Sequence, residues 1–239
     1  MPAASRITIS ATTMRMATDA AGLLRLLAWL SPAFPTGGFA WSHGIEWAVE
    51  AGDVRDADSL RDWLGDLLVH GAGRNDAILL RHAHRAAADP DALAAVCEHG
   101  LAAQPAAERR AESVGQGNAF ALAAVAWGAA PLPALAARMG DIPYSVAVGA
   151  LAGAHGIAED DAALGLLQAF AANLISAAVR LVPLGQSAGL GVLAALAPTL
   201  LAVAAATRAT TLDELGGACF RADLAAMRHE TQYTRLFRS

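Results

Sequence analysis

The chain has 239 residues, 55% of them hydrophobic, and a net charge of −5 with no basic stripe to neutralise phosphates, which argues against a nucleic-acid partner. All 17 basic residues are arginine. Without a lysine the chain offers neither a Walker lysine for nucleotide phosphates nor an ε-amine for Schiff-base chemistry.

Residues 1–18 are rich in Ser, Thr and Ala and carry Arg6 and Arg15 but no acid. They have no apolar core of the kind a secretory signal needs and read as a disordered extension. Asp19 precedes an apolar-periodic run ending at Leu30, which Pro32 and Pro35 stop. After Gly37 and Gly38 a second helix carries Ile45, Trp47 and Val49 and ends at Gly52. Asp58 or Ser59 caps a third, with Leu60, Trp63, Leu64, Leu67 and Leu68 at helical spacing. Asn75 or Asp76 starts a fourth.

Asp89-Pro90 is an N-cap followed by proline, and Gln104-Pro105 repeats the device before a long helix reaching Trp127. Pro143-Tyr144 opens the next, Asp160 or Asp161 a long one to Leu181, and Gln186 another. Thr211 or Asp213 begins a last short segment, interrupted by Gly216 and Gly217. Strand signals are scarce. The expectation is an all-α, single-domain bundle of roughly nine to ten helices over residues 19–227, with 228–239 as a separate tail.

Residues 181–207 carry no charge, long enough for a transmembrane span. Pro183, Gly185, Gln186, Ser187 and Pro198 interrupt the stretch, and the remainder is mostly Ala and Gly. A buried core helix fits it better. Cys97 and Cys219 form no CxxC pair and fit a reducing compartment, so the expected location is cytoplasmic.

Chemistry-bearing patterns are few. His82 and His84, and Cys97 and His99, are spaced i, i+2 and diverge on a helix. His43 and Glu46 could share a face, but two ligands do not make a metal site. There is no HExxH, no GxSxG and no Rossmann fingerprint; Gly115-Gln116-Gly117 lies in a helical pattern. No catalytic residue, cofactor site or metal site is assigned.

Two segments stand apart. Residues 31–46, SPAFPTGGFAWSHGIE, place two prolines, then the pair Gly37-Gly38, then the aromatics Phe39 and Trp41 in one turn between helices. Residues 228–239, RHETQYTRLFRS, set Tyr233, Leu236 and Phe237 among Arg228, Arg235 and Arg238, the residue types enriched at interface hot spots. Such a tail, mobile or loosely packed when free, is expected to become ordered on a partner, so deleting 232–239 should leave the melting temperature nearly unchanged. Gly37 or Gly38 is expected at positive φ.

These segments carry a resemblance. SPAFPTGGFAWSHGIEWAVEAG resembles the N-terminal motif of the UreF family of urease accessory proteins, Pro-x-Gly-Gly-aromatic leading to Ser-x-Gly-x-Glu. RHETQYTRLFRS is similar to that family's ending, and AANLISAAVRLVPLGQ to its long helix and Pro-Leu-Gly-Gln turn. The likeness spans about residues 23–239, with Glu108 and Arg109 as matches in an otherwise divergent 104–120.

The resemblance implies a non-catalytic all-α scaffold that forms a homodimer, binds the accessory protein UreD (UreH) and recruits the GTPase UreG. Together they deliver nickel into apo-urease. It carries partner contacts onto Pro35, Gly37, Gly38, Phe39, Ser42, Gly44 and Glu46, and onto Arg228, His229, Glu230, Tyr233, Arg235, Leu236 and Phe237. A nickel-binding metallochaperone in its own right is the alternative.

Overall fold

A computed structural model describes residues 17–239. The described residues form eleven α-helices and no strand: α1 (Ala20–Trp29), α2 (Ile45–Glu50), α3 (Ala57–His70), α4 (Ala72–Arg85), α5 (Pro90–Ala102), α6 (Ala107–Ala123), α7 (Leu132–Met139), α8 (Tyr144–Ala154), α9 (Glu159–Leu181), α10 (Gln186–Ala206) and α11 (Phe220–His229). The all-α bundle expected from the sequence is therefore the fold.

Its boundaries follow local chemistry. The Asp19 carboxylate accepts from the Gly22 amide at 2.7 Å and starts α1. Asp56, two residues before the expected cap, starts α3 in a reciprocal pair with Ser59. Pro90 opens α5 behind Asp89 as expected. The sequence reading has no counterpart to α7, whose first turn holds Pro133 behind Pro131. A missing N–H costs nothing there, because the first-turn donors have no partner within the helix. Of the expected 1–18 extension, residues 1–16 lie outside the described residues. Thr18 is docked, donating its amide to Asp161 Oδ2 and accepting from the Ala158 amide, both at 3.1 Å.

Helix α4 is the axis, packed against α3, α5, α8 and α9. Its closest neighbour is α8, where Gly149 and Gly153 face the carbonyls of Leu80 and His84. A Cβ at either glycine would stand 2.2 or 2.3 Å from that oxygen, so any side chain there would push the two helices apart. One apolar cluster gathers Trp29, Leu79, Leu80, Phe120, Val146 and Leu151. A second gathers Ile45, Leu60, Leu64, Leu174, Leu196 and Leu200. At roughly 25 cal/mol per Å² of apolar surface buried, these two clusters are the main favourable term in the fold.

Helices α9 and α10 are both long and apolar enough to cross a membrane by length and composition. Here α10 lays Gly189, Val192, Leu196, Leu200 and Val203 along the core at three- and four-residue spacing. Arg81 of α4 ties it to α9. Its buried guanidinium reaches Glu159 at 2.6 Å, Asp160 at 3.0 Å, the Ala204 carbonyl at 2.6 Å and Thr207 Oγ1 at 3.2 Å. These contacts disperse its charge over two carboxylates and two oxygens, the condition for burying a cation.

Candidate functional site

The two distinctive segments meet. In the first, Gly37 sits at φ +73°, as expected of one of the pair, while Gly38 does not enter that region. A 3₁₀ turn over Gly38–Ala40 follows and leaves Phe39 at the surface. His43 (φ +59°) and Gly44 (φ +76°) then reverse the chain into α2. Glycine at 44 is required twice, because its φ is left-handed and a Cβ would lie 2.8 Å from the Ala226 nitrogen. The close approach of α11 and the reversal together carry Glu46 into the interior, where it is 6% exposed.

The tail closes over that carboxylate. Glu46 accepts from the amides of Leu236 at 2.7 Å and Phe237 at 2.9 Å, and stands 3.1 Å from His229 Nε2. His229 Nδ1 lies 2.7 Å from Glu108 of α6, whose other oxygen accepts from Arg235 at 2.8 Å. Glu230 accepts from the Ala107 amide at 3.1 Å, satisfying a donor in the first turn of α6. The Arg238 amide donates to the Ala40 carbonyl at 2.9 Å and the Ser42 amide to the Ser239 carbonyl at 2.8 Å. The Ser42 hydroxyl also donates to that Ser239 carbonyl. Arg180 of α9 donates to the Phe39 carbonyl at 2.8 Å, with its guanidinium 4.3 Å above the Phe237 ring.

Beneath lies a second layer of charge. Arg109 pairs with Glu112, which also accepts from the Ser239 hydroxyl at 2.7 Å. Burial alone would raise the Glu112 carboxyl, but Arg109, His43 and Ser239 outweigh it and hold it at about 2. Burial, reinforced by the Arg109 charge, lowers His43 to about 4 and leaves its ring neutral at neutral pH. His43 Nδ1 stands 3.6 Å from Glu112, too far for a hydrogen bond. Asp76 of α4, which accepts from Ser145 at 2.9 Å, is pushed up to about 6 by burial.

The structure thus divides the expected contact residues by depth. Ser42, Gly44, Glu46, His229 and Phe237 are buried and hold the two segments together. Pro35, Phe39, Arg228, Glu230, Tyr233, Arg235 and Leu236 form the exposed layer, and Gly37 and Gly38 lie between. The expectation of a mobile or loosely packed tail is corrected. Phe237 is 5% exposed and Ser239 is wholly buried, and Glu46 and Glu112 draw three of their hydrogen bonds from 236–239. The sequence reading also missed His43, Asp76, Glu112 and Ser239 as parts of this network. A signal existed for Glu112, since Glu108 and Glu112 are i, i+4 in a chain with few charges.

Comparison with known proteins gives the family. A family model for UreF matches residues 54–197, between the two distinctive segments. The urease accessory protein UreF of Xanthobacter autotrophicus is 55% identical over 221 residues, covering 91% of each chain. That of a Methylobacterium species is 54% identical over 220 residues, 90% of this chain and 88% of the relative. A Bradyrhizobium UreF is 49% identical over the full length of both. The chain belongs to the UreF family.

Proposed function

We propose that this UreF-family chain is a non-catalytic scaffold of urease maturation, which bridges UreD and the GTPase UreG so that nickel is delivered into apo-urease in the cytoplasm. The observation that carries the reading is the two-layered site. Buried ion pairs fix the N-terminal turn and the tail as one rigid surface, and Phe39, Tyr233 and Leu236 project from it. Large exposed aromatic and aliphatic side chains beside arginines make a surface suited to a protein partner, and UreD is assigned to it. The absence of any lysine is consistent with nucleotide chemistry residing in UreG.

A homodimer is part of the same proposal. Leu23, Leu24 and Leu27 of α1 are each more than half exposed and form one apolar face on that helix. An apolar patch is self-complementary across a two-fold axis, which brings the same residues of two copies together.

Co-purification tests the whole reading. The full chain, expressed with UreD and UreG, is expected to form a complex containing all three and to raise nickel-dependent activation of apo-urease. A chain that passes through the column free of both partners, with activation unchanged by its presence, contradicts the proposal.

A further inference from the structure

His229 is wholly buried, and both of its ring nitrogens face carboxylates: Nδ1 stands 2.7 Å from Glu108 and Nε2 3.1 Å from Glu46. A neutral imidazole has one N–H and one lone pair, so in either tautomer one carboxylate would face a lone pair. Only the imidazolium donates to both. The surrounding charges agree. His229, Arg235 and Arg109 stand with Glu46, Glu108 and Glu112, three cations against three carboxylates when the ring is charged.

Among the described residues, the other titratable and charged groups around the ring are engaged elsewhere, neutral or exposed. From α2, Glu50 is taken by Gln232 at 2.6 Å. His43 is neutral, and Asp76 of α4 and Asp223 of α11 are acids held above their ordinary range by burial. Arg228 is exposed to solvent, and Glu230 is engaged with the Ala107 amide.

We propose that His229 is a proton-dependent latch. The imidazolium fastens α11 simultaneously to α2 and α6, and the tail closes on the same two carboxylates through the Leu236 and Phe237 amides and Arg235. When the ring gives its proton to solvent, Glu46, on the longer 3.1 Å contact, loses a charge-assisted donor and turns toward water, releasing the Leu236 and Phe237 amides it holds. Rising pH therefore unfastens the tail, while the helical frame stays folded. The latch is a property of the free protein; its consequence for partner capture rests on the docking reading above.

The test uses the full-length free chain with ¹⁵N-labelled histidine, followed across a series of pH values on both sides of neutrality. The expected result is a His229 ring protonated on both nitrogens at the acid end. As that proton is lost, exchange protection of the Leu236 and Phe237 amides, corrected for intrinsic rates, falls roughly tenfold or more, the factor for losing a hydrogen bond to a charged group. Protection of the Leu80 amide in α4 stays constant. His229→Gln, which lacks the charge, is expected to show low tail protection at every pH; if that variant does not fold, the wild-type series decides alone. A ring carrying a single proton throughout while the tail is protected, or tail protection that stays flat as the ring titrates, overturns the latch. UreD binding measured over the same range separates the two ideas. Capture that weakens as the tail opens supports both, whereas pH-dependent protection with pH-independent capture keeps the latch and overturns the docking assignment.

Discussion

Among the described residues two buried ionic clusters stand out, and they do different things. Around Arg81 one cation is surrounded by Glu159, Asp160 and the end of α10, all within the helical frame. Around Glu46 and His229 the partners come from α2, α6, α11 and the tail, and residues close in sequence to them emerge at the surface as Phe39, Tyr233 and Leu236. The first cluster fixes helices that packing already brings together. The second joins two segments that also bury Trp41, Ile45 and Phe237, and its ionic bonds set how those segments meet at the surface. A buried ion pair is weak evidence for net stability, yet breaking it by removing one partner is costly.

The contrast is sharpest at Arg81. Arg81→Ala empties a fully buried site and strips the Ala204 carbonyl of its donor, while Glu159 and Asp160 keep Arg85 and Arg208, and is expected to cost about 3–5 kcal/mol. The loss should appear in urea unfolding of the whole domain. A cost below about 1 kcal/mol would mean that α4, α9 and α10 are held by packing alone.

Phe237→Ala comes next. The ring is buried under Arg180, and its removal is expected to cost about 3 kcal/mol, the low end for a core phenylalanine because the site lies at the periphery. Deleting 232–239 should therefore lower the melting temperature, opposite to what the sequence alone suggests. An unchanged melting temperature would return the tail to the loosely packed class.

Asp76→Asn acts in the other direction. The Asp76 carboxyl, raised from 3.8 to about 6, keeps its proton in the folded state to higher pH than in the unfolded chain. The contribution of its neutral form is complete below pH 3.8 and is lost as pH rises to about 6. The variant should thus be more stable than the parent above pH 6, by up to about 2–3 kcal/mol, and equal to it near pH 3.5. His43 and Glu112 have the opposite sense: their contributions are present above 6.5 and 4.5 and are lost as pH falls toward about 4 and about 2. Denaturant titrations at the two pH values check this; equal stabilities at both would contradict a buried, protonated Asp76.

Gly37→Val is expected to cost about 1–3 kcal/mol from its left-handed φ alone, since no atom lies within 4 Å of a Cβ built there. Gly38→Val, at ordinary φ, should differ in cause: its Cβ would stand 3.3 Å from the Gln116 side chain, so trimming Gln116 should relieve it. A Gly37→Val variant as stable as the parent would remove the backbone explanation.

The fold was largely legible because helix periodicity and caps such as Asp19 and Asp89 are local signals. Helix α7 was hidden because proline reads as a breaker unless its position within the first turn is known. Both distinctive segments were also legible, as unusual compositions at fixed places. What the sequence could not convey was depth. Tyr233 and Phe237 belong to the same aromatic-arginine pattern, yet one is fully exposed and the other buried, because the tail's backbone is pinned by Glu46, some 190 residues earlier. Long-range hydrogen bonds of this kind leave no periodicity. His43 and Ser239 escaped for the same reason: each is an ordinary residue until Glu112 stands beside it.

The smallest expected effect on stability accompanies the most direct test of the docking surface. Tyr233→Ala with Leu236→Ala removes two exposed side chains and leaves every buried bond to Glu46 and Glu108 in place, so unfolding free energy should change by no more than about 0.5 kcal/mol per site. Titration calorimetry with purified UreD should show binding weakened at least about thirtyfold, the factor for loss of an interface hot spot. A folded double variant that binds UreD with wild-type affinity would contradict the assignment of this surface.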